Sequence, residues 1–302
     1  MIKIPSYLND GDTIGIVCPA GYMAGEKVQA CIDTLREWGW LVKTGLTVDA
    51  ASENYFSGSD AERLEDLQLM LDDEKINAIL FARGGYGVSR IIDRIDFKKF
   101  IARPKWLIGF SDITVLHSHI YNNLKISTLH GPMAGAFNNA GKGDRNLLSL
   151  QKVLRGEKIH YECSTHSFNR TGEAIGELVG GNLALLAHCV GTPSDIKTKG
   201  KILFIEDIGE YLYNIDRMLY QLKRAGRFEK LAGLIVGSFS DNKDTDRPFG
   251  NQVEEIIRDA VAEYDFPVCF NFPVGHAKEN LALKIGFGYK LKVGRRKVSL
   301  EE

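Results

Sequence analysis

The sequence predicts an α/β protein in which a doubly wound parallel-sheet domain is followed by a smaller α/β domain. In the first half of the chain, short apolar segments alternate with amphipathic patterns of helical period, the order typical of strand–helix–strand units. These apolar segments contain few polar residues, as expected for parallel strands that helices cover on both faces. The length of 302 residues suits two domains.

The elements of the N-terminal domain follow from these patterns in chain order. Residues 59–62, Ser-Asp-Ala-Glu, form a capping box that predicts the start of a helix. Strands are predicted at Thr13–Cys18, from Trp40 onward, at Ile76–Ala82 and at Lys105–Gly109, with helices around residues 28–35, 64–71 and 113–120.

This alternation is interrupted after residue 140, where the chain becomes rich in Gly and Asn. We therefore expect an N-terminal domain of residues 1–140, a linker of residues 141–171 and a C-terminal domain of residues 172–302. The C-terminal patterns predict strands near 176–180, 201–205 and 234–236, helices near 182–190, 215–222 and 253–260, and a final hairpin around Gly294.

The composition argues against several classes of function. Lys and Arg number 38 and Asp and Glu 39, for a formal net charge of -1, so nothing favours nucleic acid or an anionic membrane as a partner. The N-terminus lacks a secretory pattern, and no apolar run approaches the ~20 residues of a membrane span. The five scattered cysteines include no CxxC pair, which predicts reduced core residues. We expect a cytoplasmic protein without a metal or cofactor.

Ser111 lies where the predicted strand at 105–109 ends and the next helical pattern begins. A serine at such a turn has a rigid support and lies near helix N–H groups, which favours a nucleophile for acyl transfer. The alternative is a helix N-cap, for which serine is a preferred residue. The turn also departs from the G-x-S-x-G pattern, because the second glycine is absent.

Two further polar residues follow apolar segments and would complete a catalytic triad. Glu206 follows the predicted strand at 201–205, and His276 lies in a turn that contains Pro273 and Gly275. Histidine is the usual proton acceptor for a serine near neutral pH, and a carboxylate holds it in the correct tautomer. Capping, a salt bridge or a surface loop would explain each residue alone. Their order along the chain, Ser then acid then His, is that of the α/β-hydrolases.

The loop of residues 83–87, Arg-Gly-Gly-Tyr-Gly, follows the predicted strand at 76–82. Paired glycines let backbone N–H groups approach a ligand, so this loop and the amide of Asp112 are candidates for an oxyanion hole. A tight strand-to-helix turn is the alternative, and a phosphate cradle is disfavoured because neither glycine-rich phosphate pattern is present. A second Phe-Ser-Asp sequence, within Ser238–Asp241, has no apolar helical pattern directly behind it and is interpreted as a loop.

Motifs spread over nearly the whole chain together resemble those of the LD-carboxypeptidase family of serine peptidases. They are GDTIGIVCPAG near the start, ARGGYG, GFSD, LHGPM at 129–133, GELVGGNL at 176–183, LFIEDIGE at 203–210, IDRML at 215–219 and FPVGH at 272–276. The resemblance implies a flavodoxin-like, class I amidotransferase-like N-terminal domain, a smaller C-terminal α/β domain, and assembly as a homodimer.

The resemblance also implies roles for the candidate residues. Ser111, His276 and Glu206 would form the triad, and the backbone amides of Gly85 and Asp112 the oxyanion hole. We expect the Asp112 side chain to cap the helix that follows it.

The implied reaction is removal of the terminal D-alanine of a murein tetrapeptide by cleavage of an L,D bond, in the cytoplasm during cell-wall recycling. The expected partner is therefore a muropeptide or another small peptide. Binding its free carboxylate makes Arg83 a candidate contact, and a structural ion pair is the alternative for this residue. Tyr86, lining the same cleft, and Asn182 are further candidates for contact with the substrate.

Two other functions stay open. One branch of the family hydrolyses microcin C-type peptidyl nucleotides and carries an extra loop whose aromatic residue stacks on the base. The predicted linker at 141–171 contains no tryptophan, which favours the murein branch. The second alternative is a non-catalytic, ligand-binding α/β protein, and the presence of all three triad residues counts against it.

Overall fold

The computed structural model describes residues 2–141 and 143–302, which divide into two compact units. The first unit extends to residue 157 and includes residues 281–284, and the second comprises 158–280 and 285–302. This division differs from the predicted one, because the expected linker at 141–171 contains a helix and a strand. Lys142, in that segment, lies outside the described residues.

The elements of the first unit alternate as predicted. They are β1 (Thr13–Val17), α1 (Gln29–Glu37), β2 (Leu41–Thr44), α2 (Asp60–Asp72), β3 (Ile76–Phe81), α3 (Lys98–Ala102), β4 (Trp106–Gly109), α4 (Thr114–Leu124), β5 (Thr128–His130) and α5 (Arg145–Leu154). The predicted capping box is formed, since Ser59 Oγ accepts from Glu62 N–H and the Glu62 carboxylate accepts from Ser59 N–H. Helix α5 lies in the expected linker, and the carboxylate of Asp144, the residue before it, caps its N-terminus.

The remaining elements follow in chain order: β6 (His160–Ser164), β7 (Gly172–Asn182), α6 (Leu183–His188), β8 (Ile202–Ile208), α7 (Leu212–Arg224), β9 (Gly233–Ser240), α8 (Val253–Ala260), β10 (Val268–Cys269), β11 (Leu283–Ile285), β12 (Gly288–Val293) and β13 (Lys297–Glu301). The predicted final hairpin is confirmed, because β12 pairs antiparallel with β13. The interpretation of Ser238–Asp241 as a loop is wrong for its first three residues. They continue β9, because Phe239 and Ser240 pair with β8.

Within the described residues, the first unit contains a six-stranded sheet in the order β11-β5-β4-β3-β1-β2. The strands from β2 to β5 are parallel. The chain passes from β1 outward to β2 and then returns to the other side of β1, so the direction of winding reverses between β1 and β3. Ligands of such sheets bind beyond the carboxyl ends of the strands at this reversal. The loops after β3 and β4 carry residues 83–87 and Ser111.

The sheet of the second unit has the order β10-β9-β8-β7-β12-β13-β6 over the described residues. Strands β7 to β10 are parallel, while β12, β13 and β6 are antiparallel to their neighbours. The prediction of an α/β protein is therefore confirmed. In the part of the chain that the structure describes, no helix is both long and apolar enough to cross a membrane.

Candidate active site

Ser111 has a left-handed backbone conformation, with a φ of +62°. It begins a short 3-10 turn, residues 111–113, between the end of β4 and the start of α4. This conformation is uncommon for residues other than glycine and accompanies sharp functional turns. An N-cap residue adopts an extended conformation instead, and Phe110 is the residue at the cap position of this turn. The backbone therefore fits a nucleophile turn and does not fit the N-cap alternative.

Gly84 lets the 83–87 loop pack closely against Ser111. A Cβ at Gly84 would lie 2.9 Å from Ser111 Cβ and 3.4 Å from the Asp112 nitrogen, so a side chain there would collide with the turn. Gly85 has a φ of +102°. Among residues 2–141 and 143–302, no acceptor is found for the N–H groups of Gly85 and Asp112. The Asp112 amide directly follows the serine, and the amide of Gly85 stays the second predicted donor of an oxyanion hole.

The Asp112 side chain does not cap α4 as expected. It turns toward the end of the neighbouring loop, where its Oδ2 accepts a hydrogen bond from Val88 N–H at 2.8 Å. The residue is buried, and desolvation raises the pKa of the carboxyl group to about 6. The expectation is wrong because backbone donors from the loop after β3 lie within reach of this carboxylate.

His276 and Glu206 form a hydrogen-bonded pair in the second unit. His276 Nδ1 lies 2.7 Å from Glu206 Oε2, and the Glu206 side chain has no exposed surface. Glu206 occupies an irregularity in the pairing of β8 with β9, between Ile205 and Asp207. Bulges of this kind re-aim side chains near functional sites. With Nδ1 donating to the carboxylate, Nε2 of His276 is the nitrogen that can accept a proton.

The His276 loop is held by side chains from the surrounding structure. Ser238 Oγ accepts from Ala277 N–H at 3.2 Å, and Asn280 Oδ1 accepts from Gly275 N–H at 3.0 Å. Gly275 has a φ of +123°, and a Cβ there would lie 2.4 Å from Ser238 Oγ and 2.9 Å from Glu206 Cβ. Sequence reasoning missed Ser238 and Asn280. The second Phe-Ser-Asp sequence contains Ser240 and only adjoins Ser238, and no sequence pattern marks Asn280.

The three candidate substrate contacts have different surroundings. Arg83 is exposed and donates to the carbonyl of Tyr22 at 2.7 Å, and Tyr86 is also exposed. Asn182 is buried in the second unit, where its amide nitrogen donates to Asp207 and its oxygen caps α6. Substrate contacts by these residues stay predictions.

Within residues 2–141 and 143–302, no three His, Cys, Asp or Glu side chains are arranged to hold a metal ion. None of the five cysteines, all of which lie in the described residues, forms a disulfide, and four of them are buried.

The parts described above are those that a serine hydrolase needs: a serine at a strained turn, amide donors near it, and a histidine paired with a buried carboxylate. Two family models match most of the chain. The model of the LD-carboxypeptidase N-terminal domain matches residues 14–131, and that of the C-terminal domain matches residues 175–291. The chain belongs to the LD-carboxypeptidase family, and it is a peptide-bond hydrolase.

Individual relatives agree with this assignment. The chain is 38% identical to a probable murein peptide carboxypeptidase of Bacillus subtilis (strain 168), over 93% of this chain and 89% of the relative. It superposes on the crystal structure of muramoyltetrapeptide carboxypeptidase from Oxalobacter formigenes with a TM-score of 0.87 and 28% identity, covering 96% and 98% of the two chains. The microcin C7 self-immunity protein bound to aspartyl sulfamoyl adenosine also gives a TM-score of 0.87, covering 100% and 98%. Its 22% identity supports a shared fold.

Proposed function

We propose that the protein is a serine LD-carboxypeptidase that releases the terminal D-alanine of murein tetrapeptides. Family membership supports hydrolysis of a peptide bond, and the names of the relatives from B. subtilis and O. formigenes support a murein peptide as the substrate. The observation that carries the mechanism is the 2.7 Å contact between His276 Nδ1 and the buried Glu206 carboxylate. A histidine in an ordinary surface loop has no need of a buried carboxylate.

In the proposed reaction, Ser111 Oγ attacks the carbonyl carbon of the scissile L,D-amide, and its proton passes to Nε2 of His276. Glu206 stays ionised, holds the Nδ1–H tautomer and stabilises the imidazolium that forms. The N–H groups of Gly85 and Asp112 donate to the oxyanion of the tetrahedral intermediate. This step requires the serine hydroxyl and the imidazole to come within hydrogen-bond reach when substrate is bound.

The intermediate then collapses, and His276 returns the proton from Nε2 to the nitrogen of the departing D-alanine. The C–N bond breaks and leaves the shortened peptide as an ester of Ser111. A water molecule gives a proton to His276 Nε2 as its oxygen attacks the ester carbon. In the second collapse the bond from that carbon to Ser111 Oγ breaks, His276 returns the proton to Oγ, and the shortened peptide leaves with a new carboxyl group. We assign to Arg83 the free carboxylate of the substrate, because a guanidinium binds a carboxylate through charge-assisted hydrogen bonds. Tyr86 and Asn182 are the further contacts proposed.

The proposal also covers the fold type of the first unit, the cellular location and the oligomeric state. The order of the parallel strands, β2-β1-β3-β4-β5, supports describing the first unit as flavodoxin-like. The family resemblance supports a cytoplasmic homodimer that acts in cell-wall recycling.

Replacement of the proposed nucleophile tests the mechanism directly. We expect Ser111→Ala to lower kcat for a murein tetrapeptide by on the order of 10^4- to 10^6-fold, because no other hydroxyl would replace the nucleophile. D-alanine release measures the rate. The matched control is Ser118→Ala on α4, which removes a buried hydroxyl that has no partner among the described residues, and it should keep wild-type turnover.

Wild-type turnover by Ser111→Ala would refute the proposed nucleophile. The same assay run with a peptidyl-adenylate analogue separates the two hydrolase functions, because exclusive cleavage of that analogue would replace murein with a peptidyl nucleotide as the substrate. Failure of a folded wild-type protein to cleave either substrate would refute both substrate assignments.

A further inference from the structure

A buried carboxylate ties together the two loops of the nucleophile region. Asp112 has no exposed surface, and its Oδ2 accepts from Val88 N–H at 2.8 Å. Val88 directly follows the 83–87 loop, and Asp112 directly follows Ser111. This hydrogen bond therefore joins the loop that contains the Gly85 amide to the turn that contains the serine.

Arg63 holds the same loop through its carbonyl groups. This arginine is completely buried, and its Nη1 donates to the carbonyl of Gly87 at 3.1 Å and to that of Pro19. Gly87 permits the approach because a Cβ there would lie 2.6 Å from Nη1. The Asp112 carboxylate therefore binds the N–H of Val88, and the Arg63 guanidinium binds the carbonyl of the preceding residue, Gly87.

The carboxylate at position 112 costs folding stability at neutral pH. Burial raises its pKa from 3.8 to about 6, although the Val88 and Gly87 N–H groups and the charge of Arg63 oppose the shift. Its Oδ1 is buried and accepts no hydrogen bond from a described residue. Because the group ionises more readily in the unfolded chain, its contribution to stability falls as the pH rises from about 4 to about 6. A destabilising group at such a place indicates a role in function.

We infer that the Asp112 side chain is a positioning residue of the oxyanion hole, which holds the 83–88 loop so that Gly85 N–H stays beside Ser111 as the oxyanion develops. This inference rests on the proposed function of Ser111. The donor assigned to position 112 is the backbone N–H, so a substitution of the side chain leaves that donor in place. Loss of the side chain acts on the transition state and lowers kcat with little change in KM.

The experiment compares Asp112→Ala with Asp66→Ala on murein tetrapeptide. Asp66, on α2, is also buried in the first unit and accepts from the N–H groups of Leu46 and Thr47 at 3.0 and 2.8 Å. No catalytic role is assigned to the loop that contains these two donors. We expect Asp112→Ala to lower kcat about 10^2-fold, in line with the loss of one oxyanion donor, and to speed amide hydrogen exchange in residues 84–88. Asp66→Ala should lower the melting temperature and leave kcat unchanged.

Asp112→Asn separates the hydrogen bond from the charge. Its side-chain oxygen still accepts from Val88 N–H, so we expect kcat to fall only about fivefold, the ratio that corresponds to ~1 kcal/mol for a charged compared with a neutral acceptor. This variant should also be more stable than wild type above pH 6, since the cost of the buried charge is removed.

Three results would overturn the inference: wild-type kcat in Asp112→Ala, an equal loss of kcat in Asp66→Ala, or unchanged exchange in residues 84–88. If Asp112→Ala does not fold, Asp112→Asn decides the question, and wild-type kcat in that variant overturns it. Ser111→Ala distinguishes the two proposals. An active Ser111→Ala removes the proposed function, whereas an inactive Ser111→Ala beside a fully active Asp112→Ala removes only the role of the Asp112 side chain.

Discussion

The nucleophile turn and the histidine loop are held by different means. Ser111 is held by its own left-handed backbone and by the close approach of Gly84. The His276 loop depends on side chains distant in sequence, with Glu206 bonded to the ring and Ser238 to the backbone beside it. Added volume should therefore disturb both regions, and the largest loss from changing one side-chain acceptor is expected at Glu206, which orients the His276 ring.

The largest effect expected in the histidine loop is that of Glu206→Gln. The amide keeps the shape of the side chain but removes the charge that stabilises the imidazolium and selects the Nδ1–H tautomer. We expect kcat at neutral pH to fall by on the order of 10^2- to 10^4-fold, with KM nearly unchanged. Steady-state kinetics of D-alanine release measures both constants.

The matched control is Glu177→Gln on β7, which removes the half-buried ion pair with Lys201. Such a pair contributes at most about 1 kcal/mol, so kcat should stay at the wild-type value. If Glu206→Gln kept full turnover, orientation of His276 would have to come from the loop backbone alone, and the contrast between the two regions would disappear.

Gly275→Ala tests whether the loop tolerates added volume. The new Cβ would meet Ser238 Oγ at 2.4 Å and Glu206 Cβ at 2.9 Å, on a backbone with a φ of +123°. We expect a loss of about 1–3 kcal/mol in the free energy of unfolding and about 10^2-fold in kcat, the effect of a displacement near 1 Å. Thermal melts and kinetics measure the two losses.

Gly288→Ala, at the start of β12, is the control for Gly275→Ala, because a Cβ there has no neighbour within 4 Å. It should match wild type in kcat. Wild-type kcat in Gly275→Ala as well would show that the close packing of this loop is dispensable for catalysis.

Local sequence patterns were enough to predict most of the fold. The capping box at Ser59 and the apolar segments of β1, β3 and β4 depend on neighbours in the chain, and the structure contains all of them. The assignment of residues 281–284 to the first unit had no local signal, because it depends on strand pairing between distant segments. Helix α5 was missed as part of a domain because a polar, Gly-rich segment precedes it.

In the candidate site, too, the features that local sequence patterns mark were predicted, and the contacts between distant segments were not. Ser111 was predicted because a strand, a turn and a helix follow one another within a dozen residues. The role of the Asp112 side chain was not predicted, since its partner Val88 comes from the loop after β3. Ser238 contacts the backbone of a residue 39 positions away, and the order of residues along the chain contains no information about such a contact.

Ser238→Ala gives the smallest effect and the finest test of the comparison. The substitution removes the acceptor of Ala277 N–H but keeps Glu206 bonded to His276, so the ring is still oriented while its loop is less restrained. We expect kcat to fall about tenfold and the free energy of unfolding to fall by about 1 kcal/mol.

Ser240→Ala is the control, because Ser240 lies two residues further along β9 and its buried hydroxyl has no partner among the described residues. Since the Ser240 variant loses no hydrogen bond, it should equal wild type in both measurements. If both variants behaved alike, the loop would be held by Glu206 and Asn280 without help from β9.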